Sequence, residues 1–444
     1  MKSSQKKAAF IIPAAIKSHI IPSFFLAKQL EQEYEIHYLL TEDSLRGMVE
    51  QQNYHFIHLK THGIGFFAEH SFVEKKYKGC SRFTKLINKV RLYLFNTLYW
   101  ERKREIRKLV DTYSPEIVLI DIFNTTHFVF FSPYRKKITS YFFSPMLSTH
   151  HTPGIPGISE QSWTDVSKTS HRIRFKYFSE WADHLQVLRC CWLARIPFSN
   201  WLSRDNQTTT YYFKNVKELV LAPLELELDP GKRNRDQYYM GLCTIADRHQ
   251  AAIDQSFDIK PILQAKQEGA SIVYCSFGTF FHSLEQHKAV IFFVTKLIEA
   301  VSDMENVRLI LALNKKVLEV IRETIPEVWN VYLYGFVPQV QVLEYSDLFI
   351  THGGLGSVKE SIYCRVPMLV YPLDYRWDQP GNALKVVHHG LGKAGILRTD
   401  TVEEISASIK AVLDNNRFKQ RIVQFAESIQ SDNLWELLKK DKVG

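Results

Sequence analysis

The fold class follows from residues 334–390, whose sequence is YGFVPQVQVLEYSDLFITHGGLGSVKESIYCRVPMLVYPLDYRWDQPGNALKVVHHG. Within it, LFITHGGLGSVKESIY (348–363) has the pattern of a buried strand, a glycine-rich turn and a helix. Gly353, Gly354 and Gly356 leave backbone amide groups uncovered where the helix begins. This arrangement is typical of phosphate-binding turns in doubly wound α/β proteins.

Outward from this stretch, short apolar runs alternate with helical patterns, which predicts an α/β fold with parallel sheets. The pattern occurs as two successive units. The first unit contains the runs at 8–14, 35–40, 116–121 and 137–143. The second contains the runs at 271–278, 307–313, 331–335, 348–354 and 367–372. The polar stretch 229–255, interrupted by Pro-Gly, is the predicted interdomain linker.

The length of 444 residues also favours two domains, because a single core stops growing near 250–300 residues. We expect domains at 1–240 and 241–425, and a final helix in 426–444 that packs back on the first domain. A hydrophobic content of 45% and a charged content of 23% are ordinary for a globular protein and exclude a disordered or fibrous chain.

The net charge of +9 is concentrated between Lys75 and Lys108, where basic and aromatic side chains alternate. Nucleic acid, an anionic membrane surface or a phosphorylated ligand would each suit such a stretch. We expect a solvated helical face whose apolar side packs on its own domain. Peripheral contact with a membrane is the alternative, and no nucleic-acid partner is predicted.

The six cysteines, at positions 80, 190, 191, 243, 275 and 364, show no CxxC spacing and no histidine at metal-site distance. Neither a zinc site nor a disulfide framework is therefore predicted. The apolar run after Lys7 is closed by Lys17 and lacks a cleavage site, so we interpret it as a buried strand and not as a signal peptide. These features predict a cytoplasmic protein, with the inner membrane face as the place of any peripheral contact.

Several side chains near the turn suit a diphosphate. His352 at the strand end and Ser357 in the first helical turn can each donate a hydrogen bond to phosphate oxygens. In SFGT (276–279), Gly278 allows close backbone approach and Thr279 can meet the diphosphate from the other side. The chain has no DxD metal motif, and Gly354-Leu-Gly356 in the turn is followed by Lys359 where a GxGxxG motif would need its third glycine, so we predict no metal ion and no nicotinamide cofactor.

The combined spacing of these residues resembles the donor signature of the UDP-glycosyltransferase family, in particular its bacterial macrolide and carotenoid branch. The matching positions are Phe336, Pro338 and Gln339, then His352 to Ser357, Glu360, Val366, Pro367, Asp378, Gln379, Asn382 and Ala383. Arg365 stands where the family usually has Gly, and Phe336 stands where many members have Trp.

The resemblance implies the GT-B fold: two Rossmann-like, doubly wound domains that face each other across a cleft, with the acceptor on the first domain and the donor on the second. It also implies roles for individual donor-site residues. Phe336 stacks on the uracil, with Val337 beside it, and Gln339 lies near the base or ribose. Glu360 accepts both ribose hydroxyls. Gly354 and Gly356 expose the phosphate-binding amides, and hydroxyls of the transferred sugar are held by Asp378 and Gln379.

A candidate catalytic pair lies in the first unit. His19 follows the first strand in PAAIKSHIIP (13–22), which looks like the family's Gly-His-x-x-Pro loop with Ser18 in place of Gly. Asp121 ends the run at 116–121, and the carboxyl ends of neighbouring parallel strands converge on one edge. We therefore predict His19 as the general base and Asp121 as the carboxylate that orients it.

Together these features predict an inverting hexosyltransferase that transfers a sugar, glucose in this interpretation, from a UDP-sugar to a hydroxyl of a small acceptor. An aromatic content of 13% points to an apolar acceptor. The UDP-sugar is a co-substrate, and no further cofactor is predicted. Two alternatives remain: a nucleotide-sugar epimerase on the same fold, and a non-catalytic protein that binds a sugar nucleotide or a membrane surface.

Overall fold

The structure is a computed structural model that describes residues 6–65, 68–150, 152, 154–160, 162, 178–200, 213–244, 254–278 and 283–443. It contains two parallel β-sheets with helices packed against them. Among the described residues, no helix has both the length and the apolar character needed to cross a membrane.

The first sheet has seven parallel strands in the order β3-β2-β1-β4-β5-β6-β7. Its strands are β1 Lys7–Ile12, β2 Tyr34–Leu40, β3 His55–His58, β4 Ile117–Asp121, β5 Thr139–Ser144, β6 Glu218–Val220 and β7 Gln237–Tyr239. Its helices are α1 Lys17–Leu30, α2 Arg46–Glu50, α3 Ala68–Lys76, α4 Arg82–Phe95, α5 Thr97–Tyr113, α6 Phe128–Phe131 and α7 Phe178–Leu193.

The second sheet has six parallel strands in the order β10-β9-β8-β11-β12-β13. Its strands are β8 Ser271–Ser276, β9 Val307–Ala312, β10 Val331–Tyr334, β11 Leu348–Thr351, β12 Met368–Val370 and β13 Gly392–Ala394. The helices in this part of the chain are α8 Lys260–Gln267, α9 Leu284–Ser302, α10 Lys315–Thr324, α11 Gln339–Leu343, α12 Leu355–Tyr363, α13 Gln379–His388, α14 Val402–Leu413, α15 Asn416–Ser428 and α16 Leu434–Val443.

Each sheet changes winding direction once, and this positions the site. After β1 the chain builds β2 and β3 on one side and then returns to form β4 on the other side. The second sheet does the same between β8 and β11. The loops that leave two such neighbouring strands diverge and open a crevice at the carboxyl edge, where doubly wound proteins bind ligands.

The last helix returns to the first sheet. Leu434, Leu437 and Leu438 of α16 are buried in the same apolar core as Ala9 of β1. The Tyr141 hydroxyl of β5 also donates a hydrogen bond to the carboxylate of Asp441, at 2.6 Å. The C-terminal helix thereby ties the end of the chain to the first sheet.

All nine predicted apolar runs contain a strand, and the predicted doubly wound α/β class is confirmed. Four short strands of three or four residues each, β3, β6, β7 and β13, were not predicted. The prediction of a linker over the whole of 229–255 is wrong in part. Gln237–Tyr239 pairs with β6 as the edge strand of the first sheet, so the connection begins after it.

The basic stretch also departs from expectation. Its sequence predicts helices whose apolar side packs inward, and α4 is indeed a helix, but its apolar side chains point to solvent. Phe83 is 71% exposed and Leu94 is 64% exposed, although both are large hydrophobic residues. The apolar side chains are exposed because α4 packs against α3 and α7 through its opposite, mainly polar side.

Candidate active site

A cleft of about 1160 Å³ lies between the carboxyl edges of the two sheets. Residues of both sheets line it, including the loop after β1, the end of β8 and the start of α12. Twelve of the predicted site residues lie on its wall: His19, Gly278, Phe336, Val337, Gln339, His352, Gly354, Gly356, Ser357, Glu360, Asp378 and Gln379. Asp121 lies directly behind His19, and Thr279 falls outside the described residues.

The glycine-rich turn places the N-terminus of α12 at the cleft, and no side chain caps this helix end. Gly354 is the N-cap of α12. Gly353 before it has φ of +83°, a left-handed conformation that favours glycine. The first amide groups of a helix have no partner within it, and the helix dipole makes this end partly positive. The turn therefore offers backbone N–H donors to an anion.

His352 lies between two glycines on the other side of this turn. A Cβ at Gly278 would come within 2.9 Å of the His352 ring, and a Cβ at Gly354 within 2.6 Å. Glycine is thus required at both positions by the space that the imidazole occupies. Burial lowers the pKa of His352 to about 4. The ring is therefore neutral near pH 7 and can donate one N–H to phosphate.

The predicted ribose site is a hydrogen-bonded group at the start of α11 and on α12. Gln339 donates its amide Nε2–H to the Glu360 carboxylate at 2.7 Å and also lies 3.3 Å from the Ser357 hydroxyl. Glu360 is 6% exposed, so its carboxylate is held in one place beside the cleft. Phe336 is 37% exposed on the cleft wall, whereas the Val337 side chain is buried in the domain core. Only the backbone of Val337 can meet a ligand.

Asp378 and Gln379 begin α13 at the opposite end of the donor wall. The side-chain carbonyl of Gln379 accepts hydrogen bonds from the backbone N–H groups of Leu373 and Asp374, each at 2.9 Å. Its amide NH₂ group is then the part that can serve a sugar hydroxyl. The Asp378 carboxylate accepts a hydrogen bond from Asn382 at 2.9 Å, and burial raises the pKa of Asp378.

The first domain contributes a histidine and carboxylate pair. Nδ1 of His19 lies 2.8 Å from Oδ2 of Asp121, and both side chains are buried. The second carboxylate oxygen accepts the backbone N–H of Phe123 at 2.9 Å, which holds the carboxylate in position. His19 is in the first turn of α1 after β1, and Asp121 ends β4, so the pair spans the point where the first sheet changes winding direction.

Two aromatic residues that the sequence did not indicate complete this part of the cleft. The Phe123 ring lies 4.6 Å from the His19 ring, and Trp377 lies 6.3 Å from Phe123 across the cleft. Trp377 is 44% exposed. Both residues are adjacent to predicted positions, Phe123 two residues after Asp121 and Trp377 directly before Asp378. Their proximity in sequence was the available signal, but aromatic residues are too common in this chain for it to be specific.

The two facing, doubly wound domains define the class of protein: the fold is the GT-B fold of glycosyltransferases. The glycosyltransferase VinC, solved in complex with dTDP, aligns over 98% of this chain and 100% of its own with a TM-score of 0.66 at 13% sequence identity. The fold predicted from the sequence is confirmed.

Residues 249–439 match the family model described as UDP-glucoronosyl and UDP-glucosyl transferase. An uncharacterized UDP-glucosyltransferase of Bacillus subtilis (strain 168) is 31% identical over 172 residues, 38% of this chain and 40% of that protein. The oleandomycin glycosyltransferase of Streptomyces antibioticus is 27% identical over 232 residues, 51% and 49% of the two chains. The chain thus spans less than half the length of these curated relatives. The predicted resemblance to the UDP-glycosyltransferase family is confirmed over this region.

Proposed function

We propose that the protein is an inverting glycosyltransferase that moves glucose from a UDP-sugar to a hydroxyl of a small apolar acceptor. One observation carries the proposal. The His19–Asp121 pair and the uncapped start of α12 lie in the same cleft, one on each domain, at the winding changes of the two sheets. This arrangement supports a reaction in which a base for the acceptor and an anion site for the leaving group face each other across the cleft.

In the proposed reaction, His19 removes the acceptor proton. Its Nδ1–H donates to Asp121, which leaves the lone pair of Nε2 for the hydroxyl proton. The acceptor oxygen forms a bond to the anomeric carbon while the bond from that carbon to the β-phosphate oxygen breaks. Asp121 stabilises the imidazolium that forms, and the single displacement inverts the anomeric centre.

The departing diphosphate gains negative charge, and protein groups stabilise it in this proposal. The candidates are the first amide groups of α12, the neutral His352 ring and the Ser357 hydroxyl. We therefore expect turnover to persist in EDTA. A loss of activity that Mg²⁺ or Mn²⁺ restores would show that a cation neutralises the phosphates instead.

The acceptor class follows from the wall around His19. Apolar side chains dominate the part of the cleft that the first domain contributes, namely Ile16, Ile21, Leu45, Met48, Phe123 and Met146. Burying an apolar molecule there releases water from these surfaces, which favours binding. The proposal also includes a cytoplasmic site of action. All six cysteines are free thiols, which suits a reducing compartment.

The test is incubation with UDP-glucose and a panel of phenols, macrolides and hydroxylated carotenoids. We expect a β-glucoside, the inverted configuration, detected by mass and by the anomeric coupling constant. A parallel reaction with dTDP-glucose tests the nucleotide, since a similar fold has been solved with dTDP. Epimerised UDP-sugar without glucoside would support the epimerase alternative, and donor binding without either product would support a non-catalytic protein.

A further inference from the structure

Helix α4 presents its apolar side to solvent. Phe83, Leu86, Ile87, Val90 and Leu94 recur at spacings of three and four residues, so they lie on one face of the helix. These side chains are between 37% and 71% exposed. In a surface helix of a globular protein this face normally packs against the core, so its exposure requires another explanation.

Contacts on the opposite side hold the helix in this orientation. Lys85 forms an ion pair with Glu74 of α3 at 2.6 Å, and the Tyr93 hydroxyl donates to Asp183 of α7. Leu92 is the buried hydrophobic residue of α4. The polar side of α4 is therefore the side that packs on the domain.

Helix α7 extends the exposed apolar surface. Arg189 of α7 donates hydrogen bonds to the backbone carbonyls of Tyr93 and Leu94, which places α7 beside the end of α4. Trp181 and Trp192 of α7 are 45% and 67% exposed. We call this surface the α4–α7 face, and its apolar members are Phe83, Leu86, Ile87, Val90, Leu94, Phe95, Trp181, Leu185 and Trp192.

Positive charge predominates on and just before α4, where Glu74 is paired with Lys85. Residues 75–95 include seven lysines and arginines and no aspartate or glutamate. Arg82 and Arg91 of α4 are among the exposed members. An apolar stripe with exposed Trp and Phe, surrounded by Lys and Arg, is the pattern of helices that lie in the interface of an anionic membrane.

We propose that the α4–α7 face binds the surface of an anionic lipid bilayer. The apolar side chains enter the boundary between headgroups and acyl chains, and the basic residues contact lipid phosphates. A second copy of the chain fits the charge less well. A two-fold symmetric contact would bring the same basic surface of both copies together, and the like charges would repel each other.

Vesicle co-sedimentation tests the apolar part of the proposal. We expect wild-type protein to sediment with vesicles of phosphatidylcholine and phosphatidylglycerol, and far less with phosphatidylcholine alone. The triple variant Leu86→Gln, Val90→Gln, Leu94→Gln should lose roughly ten-fold or more of its affinity, because three apolar side chains no longer enter the bilayer. The matched control is Leu284→Gln, Phe292→Gln, Ile396→Gln, three residues of the second domain that are 54–71% exposed.

The electrostatic part is tested separately. Arg82→Gln with Arg91→Gln should weaken binding roughly five-fold for each charge at low salt, and wild-type binding should weaken as salt rises. Lys410→Gln with Arg417→Gln removes two exposed charges from the second domain and should leave binding unchanged. Thermal unfolding of every variant checks that the fold is retained, since all of these side chains lie at the surface.

Three results would overturn the proposal. One is wild-type protein that ignores anionic vesicles or binds neutral vesicles equally well. Another is a folded triple variant that sediments like wild type. The third is a wild-type dimer in size-exclusion chromatography that the triple variant converts to a monomer, which would make a second copy the occupant of the face.

Discussion

His19 contacts a side chain that lies 102 positions away in the sequence. A histidine in a loop near a helix start is usually a solvated surface residue. Here the carboxylate of Asp121 lies 2.8 Å from Nδ1 and the Phe123 ring lies beside the imidazole, so Nδ1 is held by a hydrogen bond and the orientation of the ring is fixed. The same dependence holds for Glu360, whose carboxylate is held by Gln339.

Replacing the proposed base should remove turnover and spare donor binding. We expect His19→Ala to lower kcat by about 10²-fold to 10⁴-fold, because general-base catalysis contributes about that much. Asp121→Asn should lower kcat by less, since the histidine remains. The control is His55→Ala, an exposed histidine of β3 that pairs with Glu35. Steady-state kinetics and titration with UDP measure both effects, and near-normal turnover of His19→Ala would exclude it as the base.

The Glu360 carboxylate should distinguish UDP from 2′-deoxy-UDP. Loss of the 2′-hydroxyl leaves a buried carboxylate without one charged hydrogen bond, and we expect affinity to fall by roughly 1.5 to 3 kcal/mol. Glu360→Ala should abolish the preference, while Glu327→Ala, an exposed residue away from the cleft, should keep it. Isothermal titration of both nucleotides measures the difference. Equal affinities in the wild type would argue against the ribose role and would favour a dTDP-sugar as donor.

The two ends of helix α12 differ in how their backbone groups are hydrogen-bonded. Its start is uncapped, which suits an anion, and its end is closed by hydrogen bonds from Arg365 N–H to Ile362 and from Val366 N–H to Ser361. Arg365 has φ of +57°, the left-handed conformation in which helices commonly end at glycine. The glycine that the family usually has at this position is explained by this backbone conformation.

A glycine at position 365 should therefore stabilise the protein. We expect Arg365→Gly to raise the free energy of unfolding of the second domain by about 0.5 to 1 kcal/mol, because the left-handed strain of about 1–2 kcal/mol exceeds the entropy that glycine gains when unfolded. Arg365→Ala removes the same charge but keeps a Cβ, so it should bring no such gain. Urea unfolding followed by fluorescence compares the three proteins. Equal stability of the glycine and alanine variants would show that the backbone is not strained there.

At the scale of the whole molecule, the proposed chemistry is divided between two domains whose sheets each change winding direction once. In each, the functional loops leave the two strands that flank the change of winding direction: β1 and β4 in the first, β8 and β11 in the second. Helix α16 links the end of the chain to the first sheet, through Leu434, Leu437 and Leu438. Histidines whose pKa is lowered by burial occur in both halves: His127 and His352 are buried, and His389 is half-buried.

These histidines should make the fold sensitive to acid. Burial lowers the pKa of His127 to about 3, below the ordinary value of 6.5 that applies in the unfolded chain. The stability tied to its neutral form is fully present above pH 6.5 and is lost as the pH falls toward 3. Between pH 7 and pH 5 the loss should be about 2 kcal/mol for this group.

The variant His127→Phe keeps an aromatic ring but cannot titrate, so its free energy of unfolding should fall by about 2 kcal/mol less than that of wild type over this pH interval. His70→Gln, an exposed histidine of α3, should follow the wild-type curve. Chemical unfolding at pH 7, 6 and 5 gives the three curves. Parallel curves for wild type and His127→Phe would show that His127 does not titrate differently in the two states.

The sequence by itself determined the α/β class and indicated the candidate donor-site and catalytic residues, because these depend on local patterns. Apolar runs predict buried strands, and a glycine-rich turn before a helix predicts uncovered amides. Only the tertiary structure decided which distant groups meet. It closes the cleft wall with Phe123 and Trp377, and it turns the apolar side of α4 outward. Contacts of this kind depend on how sheets and helices pack, and a pattern within one element does not encode the surface against which that element comes to lie.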